Sequence, residues 1–164
     1  LEVNPDSWNS HYELGYLLQE KATRFMAESG VRSLADRSTD EPHQAARTLM
    51  LTALEHYEQA VRINPQAVAA RHGRALVLMH FGRYRQAADA FADVLRRRDV
   101  LAPENRAELD KDIDALGQCQ YNLGRYADAI KSFESATSAN PPVPGAAEHL
   151  AIARAALAAS ARTD

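Results

Sequence analysis

The side chains best suited to chemistry are few and widely spaced. His72 and His80 stand eight residues apart, two turns along a helix, whereas two metal ligands on one helix are usually three or four residues apart. They read as polar surface residues. Cys119 is the single cysteine. With no histidine near it in sequence it reads as a small buried side chain rather than a nucleophile, and an internal disulfide is excluded. Arg96-Arg97-Arg98 closes one helical pattern, while Glu104, Glu108, Asp110, Asp112 and Asp114 begin the next. These are the helix ends that the dipole favours for cations and for anions. The chain carries no glycine-rich phosphate loop, paired-carboxylate site or nucleophile motif. The sequence therefore predicts a protein that is not an enzyme, with no cofactor and no metal.

Composition narrows the partners. The 164 residues carry a formal net charge of −3 and an isoelectric point near 6.1, which argues against nucleic acid or an anionic membrane surface as ligand. Apolar residues make up 46%, much of it alanine, which suits closely packed helices. No apolar run approaches the ~20 residues that span a bilayer, and no charged-then-apolar leader pattern opens the chain. A cytoplasmic location is the expectation.

Helical periodicity supplies the elements. Residues 8–28 carry Leu14, Leu17, Leu18 and Phe25 on one side, with Asp6 or Ser7 as the cap after Asn4-Pro5. Residues 29–42 hold Gly30, Ser33, Ser38, Thr39, Asp40, Glu41 and Pro42, and predict an exposed loop. Further helices are predicted over 43–63, 68–80, 84–98, 104–122, 126–139 and 145–161. Asn64-Pro65, Gly82, Pro103 and the prolines at 141, 142 and 144 separate them.

The helices repeat one another. A stretch reading Leu123-Gly124-Arg125-Tyr126-Ala127-Asp128-Ala129, then Phe133, Ala136 and Asn140-Pro141, has an earlier copy in Phe81-Gly82-Arg83-Tyr84 with Ala87, Phe91 and Val94. A third copy lies in Ala53, Tyr57, Ala60 and Asn64-Pro65. Ala53, Ala87 and Ala129 form one column, Tyr57, Phe91 and Phe133 a second, and Ala60, Val94 and Ala136 a third. Gly15, Ala75 and Gly117 form a fourth in the preceding helices. Small residues there let two antiparallel helices approach, and the aromatic fills the wedge beside the contact.

This pattern resembles the tetratricopeptide repeat, a unit of about 34 residues folded as helix, turn, helix. From Ala53 to Ala87 is 34 residues; from Ala87 to Ala129 is eight more, placed near residues 99–110 as a longer turn or an earlier helix start. From Gly15 to Ala53 the excess is about 26 residues. The resemblance implies an all-α fold, a right-handed α-α superhelix of antiparallel helix pairs. It divides the chain into the tail of a preceding repeat (1–5), a first repeat with its insertion (6–65), a second (66–99), a third (100–141) and a capping helix (142–164). The cap would bury Leu150, Ala151, Ile152 and Leu157 and expose Glu148, Arg154 and Arg162. At the other end, the first helix is expected to expose apolar surface, leaving self-association open.

The resemblance also places function on the concave wall formed by the first helix of each pair. The wall would be lined by Asn9, Tyr12, Glu13, Tyr16 and Gln19, then Ala69, His72, Leu76, Met79 and His80. Lys111, Asp114, Gln118, Tyr121 and Asn122 complete it. Tyrosine and methionine offer contact area, and the amides can bond an extended backbone. The expected activity is a protein-interaction scaffold holding a peptide or partner helix. The alternative is a regulatory or substrate-presenting domain of a larger enzyme such as a transferase or kinase. Family members that hold chaperone C-termini use a clamp of lysines, asparagines and arginine. The matching positions here hold Tyr12, Tyr16, Gly73 and Ala115, with only Lys111 in common, which argues against that role.

Overall fold

The computed structural model describes residues 7–35, 38–97 and 103–162, with the backbone alone for 103–109. The tail at 1–5, Arg98 and the side chains of Glu104 and Glu108 lie outside the described residues. The described residues form seven helices: α1 (Trp8–Ser29), α2 (Glu41–Ile63), α3 (Val68–His80), α4 (Tyr84–Arg96), α5 (Pro103–Asn122), α6 (Tyr126–Thr137) and α7 (Ala146–Ser160). They fall into two compact units, Leu1–Arg83 and Tyr84–Asp164.

In the first unit α1 packs on α2, and α3 packs on both. Ser7 caps α1 by accepting from the Ser10 N–H. Asp40 caps α2 by accepting from the His43 N–H at 2.8 Å, and Pro42 stands in the first turn, where its missing N–H costs nothing. The insertion lengthens both helices, to 22 and 23 residues against 13 for α3. Their interface is built from Ala22, Met26, Ala46, Met50, Ala53 and Leu54, all buried. Tyr57 is the centre of the unit. A Cβ at Gly15 would lie 3.0 Å from its ring, and one at Gly73 only 2.3 Å from its Cζ. Glycine at these two positions is what lets α1 and α3 close on the same ring.

The inserted loop is anchored rather than free. Leu34 is 1% exposed; its N–H donates to the His80 carbonyl at 3.2 Å and its own carbonyl accepts from Arg47 at 3.3 Å. The Arg47 guanidinium lies 5.1 Å from the centre of the Phe81 ring, with Arg83 at 5.5 Å. The exposed-loop expectation therefore fails at Leu34. Turn-forming neighbours hid one apolar residue that finds the C-terminal end of α3.

In the second unit α4 packs on α5, α5 on α6 and α6 on α7. Seven of the eight extra residues of the third repeat appear as an earlier start to α5, which runs 20 residues from Pro103 against 13 for α3. A Cβ on Gly117 of α5 would lie 2.6 Å from Cε1 of Phe133, the close approach that the columns require. Gly82 and Gly124 turn the chain at matching places with φ of 65° and 73°.

The ends depart from expectation. The α7 side chains turned inward are Ala146 and Ala153, with Leu150 half-buried, while Ala151, Ile152 and Leu157 stand outside. The apolar residues assigned to the buried side of the cap are thus largely on its outer side, because α7 is apolar around its circumference and sequence alone gives it no direction. Along α1, Glu13, Leu17, Glu20, Lys21 and Arg24 are exposed, a mostly charged row with Leu17 in its midst.

Candidate functional site

The first-helix faces differ between the units. On α1, Asn9, Glu13 and Tyr16 are exposed and Tyr12 is half-buried. The Tyr12 ring lies 6.4 Å from that of Tyr16 and 6.3 Å from that of Tyr57, centre to centre. Tyr16, 44% exposed, is thus the outer member of an aromatic row whose inner member is Tyr57. Burial raises the Tyr12 phenol above its ordinary value, with Glu13 and Tyr16 adding to the effect. It stays a neutral hydroxyl, able both to donate and to accept.

Gln19 does not belong to this face. It is 8% exposed, and its Oε1 accepts from the Tyr57 hydroxyl at 2.9 Å. Burying a tyrosine requires a partner for its hydroxyl, and Gln19 supplies it. Gly73, aligned with a clamp position, is likewise a core residue beneath Tyr57. On α3, Ala69 is exposed, and His72, Leu76, Met79 and His80 are half-buried. Burial lowers the His80 pKa, so its imidazole is neutral near pH 7. Among the described residues no group of three or more His, Cys, Asp or Glu gathers as a metal cluster.

On α5, Lys111 and Asn122 are exposed, and Gln118 and Tyr121 half-buried. Asp114 is 5% exposed. His149 Nδ1 of α7 meets its carboxylate at 2.9 and 3.1 Å, and Gln118 Nε2 donates to it at 2.7 Å. Asn122 in turn donates to the Gln118 carbonyl at 2.8 Å. Asp114 and Gln118 are therefore committed to an internal polar ladder instead of facing a ligand. Asp110 and Asp112 are also buried, beyond the first turn in which the dipole would favour them. Tyr121 stacks on Tyr126 with ring centres 5.4 Å apart.

His149 was not singled out from sequence, and Tyr126 was named there only as part of the repeat. The signal for His149 was there: it follows Phe133 by the same sixteen residues that separate Tyr57 from Gly73. Its ring lies 5.4 Å from that of Phe133. Cys119 is fully buried, and desolvation pushes its thiol up to about 12, which leaves it unreactive at neutral pH.

Paired helices, small residues seated on aromatic rings and an exposed polar and aromatic first-helix face define an all-α helical-repeat protein of the interaction class. Family models described as tetratricopeptide repeat match residues 51–107 and 114–142. Together they cover just over half of the chain, which belongs to the tetratricopeptide repeat family and holds about three repeats. Repeats of this family generally mediate protein–protein contacts and are typically non-catalytic. No curated protein matches the chain.

Proposed function

We propose that this protein is a non-catalytic scaffold whose first-helix faces hold a peptide or short helical segment of a protein partner. The observation that carries this is the α1 aromatic row, in which Tyr16 stands out to solvent while Tyr12 behind it packs toward the fixed Tyr57 ring. A tyrosine braced from behind loses little freedom on binding and gives both apolar area and a hydroxyl. The second unit offers Lys111, Asn122 and Tyr121 on α5, with Tyr126 at the start of α6 stacked on Tyr121. Within each unit the backbone amides of an extended segment find donors and acceptors, in Asn9 and the tyrosine hydroxyls of the first unit and in Asn122 of the second. The half-buried His72, Leu76, Met79 and His80 contribute adaptable edges on α3.

Affinity capture from a cell lysate, comparing the chain with a Tyr16→Ala, Met79→Ala, Tyr121→Ala variant that still folds, tests this. A partner kept by the first and lost by the second is the expected result. A partner held equally by both moves binding off these faces. Capture of nothing favours an intramolecular role, as in a regulatory or substrate-presenting domain of a larger enzyme.

A further inference from the structure

Between α1 and α2 the described residues 30–35 and 38–40 bury one side chain, that of Leu34. What Leu34 meets is a helix end with a polar group to spare. The last carbonyls of a helix have no partners within it. After α3 the N–H groups of Phe81, Gly82 and Arg83 donate to the carbonyls of Val77, Met79 and Leu78, and the His80 carbonyl takes its donor from Leu34 at 3.2 Å. Arg47 donates to the Leu34 carbonyl at 3.3 Å while its guanidinium lies over the Phe81 ring. The Ser33 hydroxyl accepts from the Ala35 N–H at 3.0 Å, which turns the backbone around Leu34. The end of α3 thus offers one acceptor, one donor and one apolar seat, the complement of a single leucine in a non-helical segment.

The third repeat closes the same helix end without such a contact. Leu123, Gly124 and Arg125 donate to the carbonyls of Cys119, Tyr121 and Gln120, bond for bond as after α3. By the match of Gly124 to Gly82, Asn122 stands for His80 and Leu123 for Phe81. Among the described residues no backbone N–H reaches the Asn122 carbonyl, and Leu123 is 37% exposed where Phe81 is 7%. The loop is therefore laid over a repeat end that is complete without it.

We propose that residues 31–35 are an internal ligand, a strap whose Leu34 gives way to a leucine-bearing, non-helical segment of a protein partner. The seat fixes the chemistry of that segment. It carries a leucine-sized aliphatic side chain, an N–H for the His80 carbonyl and a carbonyl for Arg47, and a serine one residue earlier favours the turn. Main-chain hydrogen bonds then give affinity and the pocket gives specificity. A strap held by one side chain and two hydrogen bonds opens more readily than the α1–α2 interface, where Ala22, Met26, Ala46, Met50, Ala53 and Leu54 are buried together. His80 is also the last residue of the α3 face, so a segment lying on that face reaches the seat within the first unit. A peptide of known sequence tests the seat without a cellular partner, so the seat and the binding role of the α1 aromatic row can fail separately.

Hydrogen exchange of the parent chain reads the strap directly. Corrected for intrinsic rates, the Leu34 amide should exchange at least about a hundredfold faster than those of Met50 and Leu54 in α2. Leu34→Asp vacates the seat, because an unpaired charge does not enter it. A labelled peptide of residues 28–35 should bind that variant saturably, and the parent at least about tenfold more weakly, since the tethered Leu34 competes at high effective concentration. Leu34→Asp in the peptide, or Arg47→Ala added to the variant chain, should each weaken binding by about tenfold or more. Far-UV circular dichroism checks that the Leu34→Asp chain keeps the parent's helicity. A Leu34 amide as slow as that of Met50, an unfolded Leu34→Asp chain, no saturation up to ~1 mM peptide, or equal binding to parent and variant would each overturn the proposal.

Discussion

Replacing glycine by alanine at three helix positions should give three different outcomes in an order set by geometry. In a helix interior the exchange itself stabilises by about 0.5–1 kcal/mol. Against that stands the added Cβ. At Gly15 it would meet Tyr57 at 3.0 and 3.1 Å, a crowding of a few tenths of an ångström, so the net change should be near zero. At Gly117 it would meet Phe133 at 2.6 and 2.8 Å. That ring is held by packing alone, and an overpacking cost of about 2 kcal/mol leaves about 1 kcal/mol of net loss. At Gly73 it would reach Tyr57 at 2.3, 2.5 and 2.7 Å. This ring has little room to retreat, because Gly15 of α1 is also seated against it and its hydroxyl is bonded to Gln19. A net loss of about 2 kcal/mol or more is expected, lowering the midpoint by about 4–8 °C in a chain of this size. Thermal unfolding followed by circular dichroism reads all three. Tyr57→Leu should make Gly73→Ala less harmful, a coupling that a double-mutant cycle isolates. Equal shifts at the three sites, or a stabilised Gly73→Ala, would refute the argument that Tyr57 organises the first unit.

Other outcomes follow from single contacts. Leu34→Ala should cost about 2–4 kcal/mol, measured by urea unfolding, because the loop loses its buried anchor on α3. Burial and the neighbouring His11 lower the His56 pKa against a smaller opposing effect of Glu55, and burial lowers that of His80. Their folded values therefore lie below the ordinary 6.5, so the unfolded chain binds more protons and stability should fall as pH drops below 6.5. The His11 and His56 Nδ1 atoms are 2.9 Å apart, and a second proton between them breaks that hydrogen bond. Unfolding midpoints from about pH 8 to about pH 5 should show the decline, with a shallower slope in His56→Gln. Cys119 should react with a thiol reagent at least about a hundredfold more slowly in the folded chain than in urea, since burial pushes the thiol up to about 12.

The sequence alone determined the repeat: which residues are helical, where pairs turn, and that Gly15 and Gly117 face aromatics. Those features are local or periodic, and the small and aromatic columns recur because every helix pair solves one packing problem. The tertiary structure decided which polar residues remain open to a ligand. Gln19 and Asp114 share the helical spacing of Asn9 and Lys111, yet one satisfies the Tyr57 hydroxyl and the other meets His149 from α7. Leu34 sits among turn-forming residues, and only the position of the α3 end gives it a place to bury. The outward side of α7 was equally hidden, because alanine, leucine and isoleucine are spread around the whole helix. Burial of that kind is a property of two surfaces meeting, and a periodic pattern describes only one of them.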